Sequence, residues 1–189
     1  MGDKVAQGKR GMILERKIIK ANEVYRMKGL GLINKVPTPW VVQYNRKTGR
    51  VFQAFPREKS TVDFEGVAFG KSIAFEAKST DNKTSFPLKN VGEHQVQYLK
   101  DHQDHGGLSF MIVSFRKWNE DYFLSFDDLY FWWLTSKNGG RKSIPLKWFR
   151  DTCERILPSR GVICDYLKII EVNLHGEEKN RKQDASSDR

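Results

Sequence analysis

Long apolar runs are missing from this chain. No stretch approaches the roughly 18 consecutive apolar residues that a membrane-spanning helix needs, so a helical span is not expected. Cysteine is nearly missing as well: Cys153 and Cys164 are the only two among 189 residues, in no Cys-x-x-Cys pattern. Reduced thiols in a cytosolic protein follow, not a disulfide framework. The basic N-terminus has no apolar core behind it, so no secretory signal is expected and the cytoplasm is the expected compartment. Internal repeats and low-complexity segments are absent. Acidic residues are in deficit, 23 Asp and Glu against 33 Lys and Arg, for a net charge of +10. Such an excess points to a polyanionic partner, and nucleic acid suits it better than a membrane surface. The length suits one domain with a core large enough to need no staples.

Along the chain, residues 1–11 read as a flexible basic arm. From Met12 to Lys28, the spacing of Leu14, Ile18, Ala21 and Tyr25 predicts a helix with one apolar stripe, ended by Gly29 and Gly31. Residues 1–20 hold six Lys and Arg against two Asp and Glu. Arg10, Arg16, Lys17 and Lys20 are therefore candidate phosphate contacts, with a merely solvated helix face as the alternative. Val36-Pro37-Thr38-Pro39 is stiff and extended. Trp40–Tyr44 and Arg50–Phe55 read as two strands joined by the turn Asn45-Arg46-Lys47-Thr48-Gly49. The tip of this hairpin carries Arg46, Lys47 and Arg50, with Arg57 just beyond it. A basic ribbon with aromatic residues along it can enter a groove or a strand junction. An ordinary sheet edge guarded by Lys and Arg is the alternative.

In the second half, Asn90 with Glu93 predicts the capped start of a helix from Val91 to about His102. Leu108–Phe115 is a continuous apolar run and reads as a buried strand, with Tyr122–Phe126 as its partner. Ser125 or Asp127 caps a helix through Trp132 and Trp133, and Pro145 starts another that reaches about Ile156. Tyr166–Val172 reads as a last strand, and residues 174–189 as a disordered charged tail. The sum is an α/β fold: a central sheet flanked by helices, with a β-hairpin protruding from one side.

The chain's chemistry is concentrated at Ser60-Thr61-Val62-Asp63-Phe64-Glu65-Gly66 and Lys71-Ser72-Ile73-Ala74-Phe75-Glu76-Ala77-Lys78. Ile73, Phe75 and Ala77 alternate with polar neighbours, predicting a half-buried strand with one apolar face. Glu76 and Lys78 then share the other face, roughly 6–7 Å apart at the strand's rise per residue. Gly66 and Gly70 allow a turn that brings Asp63 beside Glu76. Two carboxylates and an ammonium placed so can hold Mg²⁺ and keep a cation next to a reacting phosphate. A bare Glu-x-Lys is more often an exposed ion pair of little weight, so the surrounding residues must decide.

Asp63 followed by Glu76-Ala77-Lys78 resembles the PD-(D/E)xK nucleases, although the leading proline is missing. A longer likeness is more specific. Thr61-Val62-Asp63-Phe64-Glu65-Gly66, Phe75-Glu76-Ala77-Lys78, Thr84-Ser85-Phe86-Pro87-Leu88-Lys89-Asn90 and Glu93-His94-Gln95 together resemble the RecU family of Holliday-junction resolvases. The likeness runs from about Gly11 to about Ile170. It implies a restriction-endonuclease-like mixed sheet, a nuclease domain over residues 12–173 and a hairpin stalk over about 36–56. It also implies Asp63, Glu76 and Lys78 as catalytic residues, and Thr61, Asp63, Glu76 and Gln95 around Mg²⁺, with Mn²⁺ expected to substitute. Four-way-junction DNA, a homodimer making paired nicks, and recombinase or branch-migration proteins as candidate partners are implied in the same way. The alternatives are another PD-(D/E)xK endonuclease, or a junction-binding accessory protein with a decayed site. A zinc module built from His102, His105, Cys153 and Cys164 has no fixed ligand spacing behind it.

Overall fold

The computed structural model describes the backbone of residues 2–37, 40–56 and 61–187, and the side chains of residues 12–37, 40–54 and 61–176. Arg10 and Arg57 fall outside the described side chains. The chain begins with helix α1 (Gly2–Met27), and five strands follow: β1 (Gly31–Lys35), β2 (Trp40–Tyr44), β3 (Val51–Pro56), β4 (Phe64–Ala68) and β5 (Lys71–Thr80). Next come β6 (Ser85–Pro87), a single 3₁₀ turn over Leu88–Asn90, α2 (Glu93–Asp104), β7 (Leu108–Phe115) and β8 (Glu120–Ser125). The last elements are α3 (Phe126–Lys137), β9 (Ser143–Pro145), α4 (Leu146–Thr152), β10 (Glu154–Arg155) and α5 (Tyr166–Ser187).

Six strands form the central sheet in the order β1-β4-β5-β7-β8-β10. Only β5 and β7 run parallel, because α2 carries the chain back between them; the other neighbours are antiparallel. Side chains alternate between the faces of each strand, and both faces of the inner strands are covered. Ile73 and Phe75 of β5, with Phe110 and Ile112 of β7, pack under Leu14, Ile18, Ala21 and Tyr25 of α1 and Tyr166, Leu167 and Ile170 of α5. Ala74, Met111 and Val113 face the other way, towards Val96 and Leu99 of α2, Leu129 of α3 and Phe149 of α4. β5 is thus buried on two faces, not one as its alternation predicts. Four rings cross the sheet on the α1 side: Phe64, Phe75, Phe110 and Phe123 stack in sequence, with centroids 5.0, 4.6 and 4.5 Å apart. Each such pair adds about 0.5–1.5 kcal/mol beyond its buried area.

Several expected boundaries move. α1 extends back to Gly2, through the segment expected as a flexible arm. α4 stops at Thr152 and gives way to β10, well before Ile156. Tyr166–Val172 is the start of α5, not a strand, and the same helix runs through the expected tail to Ser187. Its cause is visible at Asp165, a buried carboxylate that receives Arg160 Nε and Nη2, each at 2.9 Å, and the Tyr25 hydroxyl at 3.1 Å. That clamp fixes the start of α5 against α1, where Tyr166, Leu167 and Ile170 are buried at helical spacing. Gly66 does not turn the chain; it lies within β4, where an added Cβ would stand 2.1 Å from the Leu32 carbonyl oxygen of β1. The turn is made by Phe69 and Gly70, both with positive φ. Among the described residues, the strand pair β2–β3 forms its own two-stranded sheet, apart from the central one.

Candidate active site

The ring row places the carboxylates. Phe64 of β4 is registered opposite Phe75 of β5. One residue outward along each antiparallel strand, Asp63 and Glu76 come face to face, pointing away from the rings because neighbouring side chains alternate. The Val36 amide bonds the Asp63 carbonyl at 2.9 Å, and the Ala77 amide donates to Asp63 Oδ2 at 3.0 Å. Backbone on both sides therefore holds Asp63, although it precedes the first residue of β4 and shares no strand face with Thr61.

Glu76 has no solvent-exposed surface. Lys78 Nζ lies 2.6 Å from its Oε1, but off the hydrogen-bonding direction, so both carboxylate oxygens are buried without an aligned donor. Burial first, and then the facing Asp63 carboxylate, push the Glu76 carboxyl up to about 8, and Lys78 pulls it only partly back. A buried carboxylate short of donors, beside a second carboxylate, is an oxygen site for a hard cation. Among the described residues no group of three or more His, Cys, Asp or Glu side chains is placed to hold a metal. Two carboxylates still suit Mg²⁺, which keeps several of its waters and takes few protein ligands. Cys153 and Cys164 are free, and His102 is hydrogen-bonded by Ser72 at 2.8 Å and Ser109 at 2.9 Å.

Asp63 and Lys78 open on a cleft of about 570 Å³ at the C-terminal end of β5, also lined by Glu15, Lys89, Asn90 and Arg116. Thr61 and Gln95 do not line it. Thr61 sits on an exposed bend near Tyr98 of α2, whose hydroxyl donates to Glu65 Oε1 at 2.5 Å and is pushed up to about 12 chiefly by that bond. Gln95 occupies the third position of α2, and its Oε1 accepts the Gly92 amide at 2.9 Å. The helix start itself claims this oxygen, since its first amides lack intrahelical acceptors. Gly92, not Asn90, is the N-cap; Asn90 closes the 3₁₀ turn on the cleft rim.

Of the basic residues expected to meet phosphate, Arg16 and Lys20 are exposed on α1, and Arg46, Lys47 and Arg50 are exposed at the hairpin tip. Lys17 is not free for that role. It turns towards β8 and pairs with the buried Asp121, an interaction an uncompensated interior carboxylate demands. Glu15, Lys89 and Arg116 are cleft residues that the sequence reading missed. Only the parallel pairing of β5 with β7 brings Arg116 to the same sheet end as Lys78.

A buried carboxylate facing a half-buried one, with an adjacent lysine at the open end of a mixed sheet, defines a candidate site for metal-assisted chemistry on an anionic substrate. Comparison with known proteins is specific. The family model described as Recombination protein U, RecU, matches residues 9–172. A relative from Pediococcus pentosaceus named Holliday junction resolvase RecU is 39% identical over 168 residues, covering 87% of this chain and 84% of its own. Relatives of the same name from a Geobacillus species and from Geobacillus kaustophilus are 40% and 45% identical, over 87% and 72% of this chain and 84% and 70% of theirs. The chain belongs to the RecU family. Against Hjc, a Holliday junction resolvase of Archaeoglobus fulgidus, the TM-score is 0.39 at 13% identity, over 62% of this chain and 78% of that one, too loose a likeness to bear on the fold.

Proposed function

We propose that this chain is a metal-dependent endodeoxyribonuclease that resolves four-way DNA junctions by paired nicks, in the cytoplasm, as a homodimer. The observation that carries the reading is the fully buried Glu76 carboxylate facing Asp63 with the Lys78 ammonium beside it, in a chain of the RecU family. Among the described residues no helix is long and apolar enough to cross a membrane.

Asp63 and Glu76 would hold Mg²⁺ or Mn²⁺; Gln95 Oε1 bonds the Gly92 amide, and the cleft lining includes neither Gln95 nor Thr61. Bound there, the cation would lower the pKa of a coordinated water and neutralise charge on the phosphate. The side chains have separate tasks. Asp63, fixed by the Ala77 amide at Oδ2, lines the cleft. Glu76 supplies a carboxylate that water cannot solvate, which makes its demand for a cation strong. Lys78, anchored at Glu76, keeps a positive charge where the phosphate gains negative charge as its bond to the leaving oxygen breaks. Exposed Arg16 and Lys20 of α1 and the hairpin-tip cations extend the positive surface along the DNA. A two-fold axis through a dimer would set equivalent clefts on two strands of like polarity. Recombinase or branch-migration proteins are partners consistent with that task.

The test is purified protein on labelled four-way junction and on linear duplex of the same sequence, with Mg²⁺ and with chelator. Symmetric nicks in the junction, only with metal, are expected. Equal cleavage of both substrates would replace the resolvase reading with a general endonuclease.

A further inference from the structure

Arg116 is the cleft residue for which neither the carboxylate pair nor the fold gives a full account. It follows directly on β7, and its amide donates to the Thr80 carbonyl at 3.1 Å, extending the β5–β7 pairing by one step. This fixes its Cα at the sheet end where Lys78 and Asp63 face the cleft. Thr80 lies two residues beyond Lys78, roughly 7 Å along the strand. The guanidinium is three-quarters buried and pairs with Asp81 through Nη2. Its Nε is buried with no acceptor. A guanidinium presents donors in a rigid planar fork, suited to a tetrahedral oxyanion, and Asp81 leaves part of that fork unmet. Lys89, exposed on the 3₁₀ turn, adds a second positive charge to the same cleft.

We propose that Arg116 is a phosphate-binding residue of the cleft, gripping a phosphodiester that flanks the scissile one on the cleaved strand, with Asp81 holding its guanidinium in place. The proposal rests on the nuclease reading above. The offset between Lys78 and Thr80 is comparable to the step between neighbouring phosphates of a strand, so one strand can lie across both cations. Holding the flanking phosphate fixes where the scissile one stops against Asp63 and Glu76, which is how a group away from the reacting bond accelerates it.

The experiment uses four-way junctions carrying one neutral methylphosphonate at each position within two phosphates of the nick. Intact protein, Arg116→Gln and Arg116→Lys are compared by single-turnover cleavage with Mg²⁺, and by binding with chelator over a salt series. One flanking methylphosphonate is expected to slow the intact protein about tenfold or more. Arg116→Gln should show a similar loss on the unmodified junction and no further loss at that one position. Arg116→Lys should recover part of the rate, because charge without the fork restores attraction but not orientation. The metal-free salt slope of Arg116→Gln should fall by about 1. If Arg116→Gln does not fold, Arg116→Lys on the same substrates carries the test: its penalty at the flanking position must be smaller than that of the intact protein. Penalties that add in full at every position, with an unchanged metal-free salt slope, would overturn the assignment. Absence of junction cleavage by the intact protein would instead overturn the nuclease reading, while the metal-free slopes still decide the role of Arg116.

Discussion

The end of the central sheet and the β2–β3 hairpin are built by opposite rules. At the sheet end, Asp63 and Glu76 are held by backbone bonds, register and a row of stacked rings, and Glu76 is sealed from water. In the hairpin, Trp40, Tyr44, Val51 and Phe52 are each more than half exposed, and among the described residues the two strands pair with one another alone. An isolated two-stranded ribbon is marginally stable in water. Placing a metal and a lysine to within a fraction of an ångström demands a rigid support. Meeting a large, deformable polyanion demands reach and charge, which the exposed tip provides. On the function proposed above, the contrast assigns chemistry and recognition to separately stabilised parts, so each can be broken alone.

The largest effect is expected at the sheet end. Asp63→Asn or Glu76→Gln should slow junction cleavage about a thousandfold or more, equivalent to about 4 kcal/mol of barrier. Metal-free junction binding should stay the same or tighten, because a charge that repels phosphate is gone. Single-turnover rates and gel-shift titrations check both halves. Full cleavage by either variant would remove the carboxylate pair from the mechanism.

Next in size is the support beneath the pair. Phe75→Ala opens a cavity in the middle of the ring row and should cost about 3–4 kcal/mol in chemical denaturation. The same deletion at exposed Phe52 of the hairpin should cost about 0.5 kcal/mol or less. Comparable losses at both positions would erase the distinction between a rigid support and a free-standing ribbon.

These two parts also differ in how far the sequence alone discloses them. Hairpin strands, turn and basic tip are all local; the first strand is Trp40–Tyr44 as expected and the second begins at Val51, one residue after the expected Arg50. Leu108–Phe115 and the cap at Ser125 are local too, and both stand as expected. Asp63, Glu76 and Lys78 come together as expected because their strands are joined by a two-residue turn. The cleft walls were not expected, since Glu15 and Arg116 reach Lys78 only through α1 docking and the parallel β5–β7 crossover. Tyr166–Val172 was misread because its β-branched residues favour strand, while Tyr166, Leu167 and Ile170 at positions i, i+1 and i+4 carry a helical face. Gln95 shows a second use that the sequence does not disclose: its Oε1 caps the start of α2, because a capping glutamine and a ligand glutamine look alike until the helix start is located. Lys17 looked free because its partner, Asp121, lies more than a hundred residues away.

A smaller effect separates charge from packing at Glu76. Its carboxyl stands at about 8 in the folded protein against an ordinary 4.5. Between those values the folded state holds a proton that the unfolded chain releases, so this group's contribution is fully present below pH 4.5 and is lost as pH rises through 8. In chelator, the intact protein should therefore lose about 4 kcal/mol relative to Glu76→Gln between pH 5 and pH 9. Added Mg²⁺ should offset that loss in the intact protein and not in the variant. Denaturation curves at fixed ionic strength decide it; parallel pH profiles would mean that the carboxylate is not strained by burial.

The smallest effect is expected at the hairpin tip, and it tests the recognition half of the comparison. The tip is an ordered turn: the Asn45 amide bonds the Arg50 carbonyl at 2.8 Å, and Asn45 Oδ1 accepts the amides of Lys47 at 2.9 Å and Thr48 at 3.2 Å. Arg46, Lys47 and Arg50 project from it into solvent. Replacing Asn45–Arg50 by Gly-Gly joins Tyr44 to Val51, which are already paired, through a loop length that suits a tight hairpin. The sheet end lies on separate strands, so metal-dependent stabilisation should persist. Junction affinity should fall about tenfold towards that for duplex, and the salt slope should shallow by about 2–3, one unit for each phosphate no longer neutralised. Both affinities must be read at one salt concentration, with circular dichroism as the check on folding. A tipless protein that folds and still prefers junctions as strongly as before would show that the basic tip only guards a ribbon edge, and that junction recognition resides in the sheet domain itself.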